Sequence, residues 1–325
     1  MLIFNERYNV IVAKYIVPLS EYGIAYSKLR QNALRNLLIE KVQRITINAN
    51  STVSFYFSKK DLLKALSNDV EQFYIRTLLQ REAVRKIRCD TTDKSTNWNI
   101  VTDYYYAYFL CGLLLRLCHR GTFYFDSTTK TNLTRIVSAY TQDTVAFGNN
   151  YYFKIDLNDT DLEYKLTLYI SSKKTHELVW EKIALLLDEI KVGTKTTSDE
   201  YTVLQLISEV NQKMGSAYPS NLRNRVNYQP YYGIKEIERK YDAAKILDFD
   251  HRWLAPILEF DGKKTDDDQK TINLFAAYVK YLQAFAFNLI NEYDERRGRG
   301  AGVLSSINNN RTSKIVPPSP VYTYL

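Results

Sequence analysis

Histidine and cysteine are scarce in this 325-residue chain, which contains three of each. Three cysteines are too few for a disulfide framework, and their number is typical of a reducing compartment, so we predict a cytoplasmic protein. Cys111 and Cys118 lie seven residues apart in an apolar stretch, and we interpret them as small core residues. Three histidines exclude a histidine-rich metal site, so we expect neither a metal nor a cofactor.

The sequence also lacks the short motifs of several large enzyme classes. It contains no glycine-rich nucleotide loop, no G-x-S-x-G elbow and no H-E-x-x-H zinc helix. Long apolar runs are absent as well. The most apolar window, Tyr104 to Cys118, is shorter than a membrane span and contains Arg116. No apolar run follows a basic start, so we expect neither a signal peptide nor a membrane anchor.

The composition is that of a globular protein with an excess of basic residues and tyrosine. Apolar residues make up 45% of the chain and charged residues 25%. The formal net charge is 44 − 36 = +8, which permits an acidic partner such as nucleic acid without requiring one. The 27 tyrosines fit two interpretations, because a tyrosine ring packs well when half-buried and also stacks on bases.

Hydrophobic periodicity predicts a mainly α protein with inserted β-hairpins. Apolar residues alternate with polar ones at 45–57 and again at 149–171, which is the pattern of paired strands. Most other segments follow a helical period, and the helix from Trp98 to Cys118 is apolar on most sides, as a buried helix is. We predict three regions: a helical and β-hairpin region at 1–90, a helical bundle at 91–297 that contains the 149–171 hairpin, and a mobile basic tail at 298–325.

One segment has the composition of an anion site. Pro219 and Ser220 are typical of a helix start, which places Arg223, Asn224 and Asn227 within two turns of a helix N-terminus. Arg223 and Asn227 lie four residues apart and therefore share a helix face. The segment predicts a site for a phosphate group.

The same segment, Arg223-Asn224-Arg225-Val226-Asn227-Tyr228, resembles the site motif of the HEPN superfamily. HEPN domains are antiparallel helical bundles, and many are metal-independent endoribonucleases. Their motif is an arginine, often followed by a polar residue, with a histidine four to six residues later; this chain has Tyr228 at the histidine position. The aromatic helix from Tyr104 to Arg116 is also similar to the central helix of many HEPN-like proteins, and the similarity extends in pattern from Trp98 to Phe287.

The resemblance implies a function in which RNA is bound or cleaved. It implies a prokaryotic conflict system, either phage defence or toxin–antitoxin, a homodimer whose sites meet at the interface, RNA as substrate and a protein partner from the same operon. Arg223, Asn224 and Tyr228 take the catalytic positions of the motif, and Arg225 and Asn227 become nucleic-acid contacts. Tyrosine has a reference pKa of about 10 and is a poor base at neutral pH, so catalytic activity depends on another base.

Three polar residues outside this motif lie at helix ends. Arg116 and His119, at the end of the buried helix, fit a basic pair that faces a phosphate, or alternatively two groups that complement the helix dipole. His176 is interpreted as part of an ordinary amphipathic helix start. A non-catalytic scaffold or sensor that binds a protein partner or nucleic acid is the alternative function, and the sequence does not choose between it and an enzyme.

Overall fold

The fold is mostly helical and contains one five-stranded antiparallel sheet. The computed structural model describes residues 6–22, 33–48, 52–89, 96–157, 163–228, 246–247, 249–250, 252–265 and 267–297. The helices are α1 (Glu6–Ile11), which continues through a π-helical stretch (Val12–Ile16) into α2 (Val17–Ser20), then α3 (Ala33–Glu40), α4 (Lys59–Cys89), α5 (Thr96–Leu117), α6 (Ser127–Thr141), α7 (Thr175–Val192), α8 (Asp199–Met214), α9 (Tyr218–Tyr228), α10 (Ala255–Leu258) and α11 (Asp268–Arg296). The predicted mainly helical fold class is confirmed, and the HEPN-like assignment stays a prediction.

The strands are β1 (Arg44–Ile47), β2 (Val53–Ser58), β3 (Arg120–Tyr124), β4 (Asn150–Asp156) and β5 (Glu163–Ser171). They pair in the order β1-β2-β5-β4-β3, and each neighbouring pair is antiparallel. Both predicted hairpins are present, as β1–β2 and β4–β5. They are not separate insertions, however, because β2 pairs with β5 and joins them into one sheet. One sheet therefore includes strands from both predicted regions, 1–90 and 91–297. The predicted tail at 298–325 lies outside the described residues.

The aromatic and aliphatic face of the sheet packs against the helices. Phe55, Phe57, Phe153, Leu166 and Leu168 alternate with polar residues along β2, β4 and β5 and are fully buried. Period-two alternation in the sequence thus becomes a two-sided sheet with one face in the core. Ser58, at the end of β2, accepts a hydrogen bond from the Asp61 amide at 3.1 Å and helps to begin α4.

Helix α5 is the central element, as its apolar sequence predicts. It packs against α4, α7, α9 and α11 and contacts β3. Its approach to α4 requires Gly112, because a Cβ atom there would lie 2.4 Å from the ring of Phe73. The core includes both Cys111 and Cys118, which are fully buried free thiols. Because α5 is buried on several sides, it is the element against which the neighbouring helices pack.

Candidate functional site

Helix α9 holds the motif segment against the core. Leu222 and Val226 lie one helical turn apart, and both are buried. They fix α9 against α5 and α7, so that the residues beside them project into the space near the start of α7. Pro219 and Ser220 lie in the first turn of α9, which confirms the predicted helix start.

A pocket of about 670 Å³ lies between α9 and the first turn of α7. Its walls come from two segments that are distant in the sequence. The lining residues are Lys174, His176 and Glu177 from the α7 side and Ser220, Asn221, Arg223, Asn224, Arg225 and Tyr228 from α9.

The guanidinium of Arg223 is held in this pocket by neutral partners. Its Nη1 donates to Oδ1 of Asn224 at 2.8 Å, and its Nη2 donates to the hydroxyl of Tyr105 at 2.9 Å. The Nε atom is buried and has no partner. Among the described residues no carboxylate forms a salt bridge with Arg223. A guanidinium has five N–H donors, so several remain available to an anionic ligand.

His176 stands beside Arg223 in the same pocket. Its Nδ1 forms a hydrogen bond with the hydroxyl of Tyr104 at 2.9 Å, and its ring lies 4.5 Å from the ring of Tyr108. Burial and, secondarily, the positive charge of Arg223 lower the pKa of His176, so the imidazole is neutral at physiological pH. Its Nε2 has no hydrogen-bond partner in the described part of the chain.

A buried layer of aromatic residues supports the histidine. Tyr104 is 1% exposed, and its hydroxyl also accepts a hydrogen bond from Nε1 of Trp180 at 3.3 Å. Burial raises the pKa of Tyr104, which therefore remains protonated. Two tyrosines of α5 thus position the polar groups of the pocket. Tyr104 is hydrogen-bonded to His176, and Tyr105 is hydrogen-bonded to Arg223.

The charges of the pocket favour an anion. Among the described lining residues, Lys174, Arg223 and Arg225 contribute three positive charges and Glu177 one negative charge, which gives 3 − 1 = +2 with the histidine neutral. Tyr228 is 71% exposed, and the guanidinium of Arg223 lies 5.8 Å from the centre of its ring. The arrangement combines hydrogen-bond donors for a phosphate with an open aromatic face for a base.

A second and larger groove, of about 840 Å³, lies along α6. Its described lining consists of Lys130, Arg135, Phe147 and residues with hydroxyl or small apolar side chains, without a histidine or carboxylate. The pocket at Arg223 is the stronger candidate because it joins cations to a neutral imidazole and an unpaired buried donor.

The structure brings together part of the predicted site. Arg223, Asn224, Arg225 and Tyr228 line one pocket, whereas Asn227 is exposed on α9 and does not line it. Two other predicted contacts lie elsewhere. Arg116 and His119 are 4% and 1% exposed, so neither side chain is accessible to nucleic acid in this structure.

Both of these residues are engaged in the core. Nε of Arg116 lies 3.5 Å from Oδ2 of Asp69, and its guanidinium lies 3.6 Å from the centre of the Phe73 ring. His119 has a left-handed φ of 58°, and its Nε2 lies 2.8 Å from the carbonyl oxygen of Tyr15, to which it donates. The physical reason for the correction is burial: the two side chains fix α4 and the π-helical stretch to the end of α5.

We expect the burial of His119 to make the protein less stable in acid. Burial lowers the pKa of His119 to about 3 from its ordinary value of 6.5. Between these values the unfolded chain binds a proton that the folded chain does not, so the stabilisation is complete above pH 6.5 and is lost as the pH falls toward 3. The loss from pH 6.5 to pH 4 should be about 3 kcal/mol.

The measurement is urea unfolding of the wild type and of His119→Gln at several pH values. The substitution cannot titrate, and other groups cancel in the difference between the two proteins. The unfolding free energy of the wild type minus that of His119→Gln should decrease as the pH falls, because only the wild type loses stability through this residue. A difference that is constant with pH would contradict a neutral buried imidazole.

Sequence reasoning missed the residues that face Arg223 from other elements. His176 lies in the first turn of α7, in agreement with the predicted helix start, and its imidazole also lines the pocket. Tyr104 and Tyr105 were noticed only as part of an aromatic helix. No local signal identifies them, because their role depends on how α5 and α7 pack against α9.

No protein-family model, no curated protein and no solved structure matches this chain. Within the described ranges, no three or more His, Cys, Asp or Glu side chains are grouped so that they could hold a metal ion. None of the described helices combines the length and apolar character needed to cross a membrane.

Proposed function

We propose that this chain is a HEPN-like RNA-binding protein that holds a phosphate of single-stranded RNA in the pocket between α7 and α9. The observation that supports it is the guanidinium of Arg223, which is half-buried beside a neutral His176 and whose hydrogen-bond partners among the described residues are neutral. An arginine without a carboxylate partner is well suited to charge-assisted hydrogen bonds with phosphate oxygens.

The surroundings of Arg223 favour RNA over an isolated anion. Tyr228 presents an exposed ring on which an unpaired base can stack, and Lys174 and Arg225 provide charge for neighbouring phosphates. A role in a prokaryotic conflict system, as a homodimer with a protein partner from the same operon, belongs to the proposal through the HEPN resemblance.

Metal-independent RNA cleavage is a second candidate, and His176 is the observation that favours it. In this reaction the RNA 2′-oxygen attacks phosphorus, its proton goes to a base, and the 5′-oxygen leaves with a proton from an acid. The products are a 2′,3′-cyclic phosphate and a free 5′-hydroxyl. Arg223 would stabilise the charge that develops on phosphorus, and His176 supplies the imidazole that the motif lacks at Tyr228.

We expect the purified protein to bind single-stranded RNA with an affinity that falls as salt rises. If Lys174, Arg223 and Arg225 each neutralise a phosphate, the logarithm of the binding constant should fall with that of the salt concentration with a slope of about −2. Fluorescence anisotropy with a labelled RNA of about one dozen nucleotides measures this slope, since a single-strand site spans up to roughly that length.

The same samples decide between binding and cleavage. RNA incubated in excess chelator is analysed for fragments that end in a cyclic phosphate. Binding without fragments supports an RNA-binding protein, and fragments support a nuclease. Absence of RNA binding at low salt would reject both and leave the scaffold that engages a protein partner.

A further inference from the structure

Three groups surround the hydroxyl of Tyr104, and their chemistry determines where its proton lies. Trp180 is a donor only, so its Nε1–H occupies one acceptor position of the Tyr104 oxygen. The hydroxyl of Ser220 also interacts with that oxygen, and Nδ1 of His176 lies 2.9 Å away. A phenol is the more acidic hydroxyl, and an imidazole nitrogen is the more basic acceptor, so the Tyr104 proton is directed at Nδ1.

From this geometry we infer that Tyr104 is a positioning residue that holds His176 in its Nε2–H tautomer, so that the ring donates a hydrogen bond to the bound phosphate instead of accepting a proton. The inference rests on the proposed function, because it concerns the same pocket and the same ligand. It assigns His176 to binding, with Arg223 and Nε2–H as neighbouring donors.

Packing fixes the orientation of the His176 ring, and the hydrogen bonds at the Tyr104 oxygen disfavour the alternative tautomer. The ring lies against Tyr108 and within 5.7 Å of the Tyr104 ring, so it cannot turn over without displacing both. If Nδ1 carried the proton, two donors, His176 and Trp180, would point at the Tyr104 oxygen, and its own proton would have to turn to Ser220. In the Nε2–H form, Tyr104 donates to Nδ1, Trp180 donates to the Tyr104 oxygen, and Nε2–H is left for the ligand.

In this arrangement His176 directs no nitrogen lone pair into the pocket. Nδ1 accepts from Tyr104, and Nε2 carries a proton, so neither nitrogen is available to the 2′-hydroxyl of an RNA. The pocket then presents donors to the phosphate and binds it without cleavage by His176. Through its hydrogen bond to Nδ1, the buried Tyr104 makes His176 a donor and not a base.

The tautomer is measured directly by long-range ¹H–¹⁵N NMR on uniformly labelled full-length protein near pH 7.5. The chain has three histidines, so substitution of each in turn assigns the signals. For His176 we expect the shift of a protonated nitrogen at Nε2 and that of a hydrogen-bonded acceptor at Nδ1. Tyr104→Phe should move the Nδ1 signal away from the hydrogen-bonded value. A protonated Nδ1 in the wild type would overturn the inference.

Tyr108→Phe is the matched control. Tyr108 contacts the same imidazole through its ring, but its hydroxyl makes no hydrogen bond with His176 in the described structure. Both substitutions remove one tyrosine hydroxyl and keep the ring, although Tyr104 is buried and Tyr108 is partly buried. Equal changes in the His176 signals for both variants would contradict a specific role of Tyr104.

RNA binding provides the second measurement. Tyr104→Phe should weaken RNA binding about three- to tenfold, the contribution of one ordinary hydrogen bond. His176→Gln, which keeps a donor near Nε2, should bind RNA more tightly than His176→Ala. RNA cleavage by the wild type that is lost in His176→Gln would overturn the donor role. A wild type with the expected tautomer but no RNA binding would instead reject the proposed function and leave the tautomer assignment intact.

Discussion

Arg223→Ala is expected to lower the affinity for single-stranded RNA about 10- to 100-fold. Hydrogen bonds to a charged group contribute about 1.5–3 kcal/mol, and each 1.4 kcal/mol corresponds to a tenfold change in affinity. Arg223 lies within the pocket, and in the described part of the chain its hydrogen-bond partners are Asn224 and Tyr105, which leaves further donors for the ligand. The substitution should also reduce the magnitude of the salt slope by about 0.7, the value for one phosphate contact on a single strand.

Arg252→Ala is the control for this prediction. Arg252 is exposed and pairs with Glu259 at 2.9 Å, so its removal changes the net charge equally but leaves the pocket intact. Arg223→Lys keeps the charge but loses the planar fork, and its affinity should lie between those of the wild type and Arg223→Ala. Equal losses in Arg223→Ala and Arg252→Ala would show that RNA binds through general electrostatics and that the pocket is not the site.

The sequence predicts individual elements of this fold well because their signals are local. Helix α5 is apolar on most sides, and it lies at the centre of the fold. The alternation at 149–171 corresponds to β4 and β5. The single sheet could not be predicted, because the pairing of β2 with β5 joins residues more than 100 positions apart and leaves no periodic signal.

The site divides in the same way. The helix start at Pro219 and the placement of Arg223 follow from local propensity, and the structure shows both. His176 is absent from the prediction because only the packing of α7 against α9 brings it to Arg223. Arg116 shows the opposite error: an arginine near a helix C-terminus has the same sequence pattern whether it faces solvent or a buried Asp69.

The tyrosine content of the chain also has a mixed explanation. Tyr74, Tyr106 and Tyr278 are buried in the core, which supports the packing interpretation. Tyr105 does more than contribute apolar area, because its hydroxyl accepts a hydrogen bond from Arg223. Tyr228 is exposed beside the pocket. Composition permits both uses of tyrosine, and the three-dimensional structure shows which of these tyrosines are buried and which are exposed.

Arg116→Met is expected to destabilise the folded protein by about 3–5 kcal/mol, because it removes one partner of a buried ion pair and leaves the other charge uncompensated. Asp69 is 7% exposed, and among the described residues its other hydrogen bond is a long one, 3.5 Å from the amide of Leu34. Burial already raises the pKa of Asp69, and the Arg116 charge opposes that rise. Without Arg116 the pKa should rise further, so the stability lost should be largest at neutral pH and should shrink in acid, where Asp69 is protonated in both states.

The double variant Asp69→Asn/Arg116→Met separates the ion pair from simple packing. It removes both charges, so its loss of stability should be smaller than that of Arg116→Met alone, and the two single effects should not add. Urea unfolding followed by circular dichroism measures all of these proteins at pH 7 and pH 5. If the single losses are additive, the buried charge of Asp69 is not what Arg116 compensates. The arginine would then stabilise the core mainly through its 3.6 Å contact with the ring of Phe73.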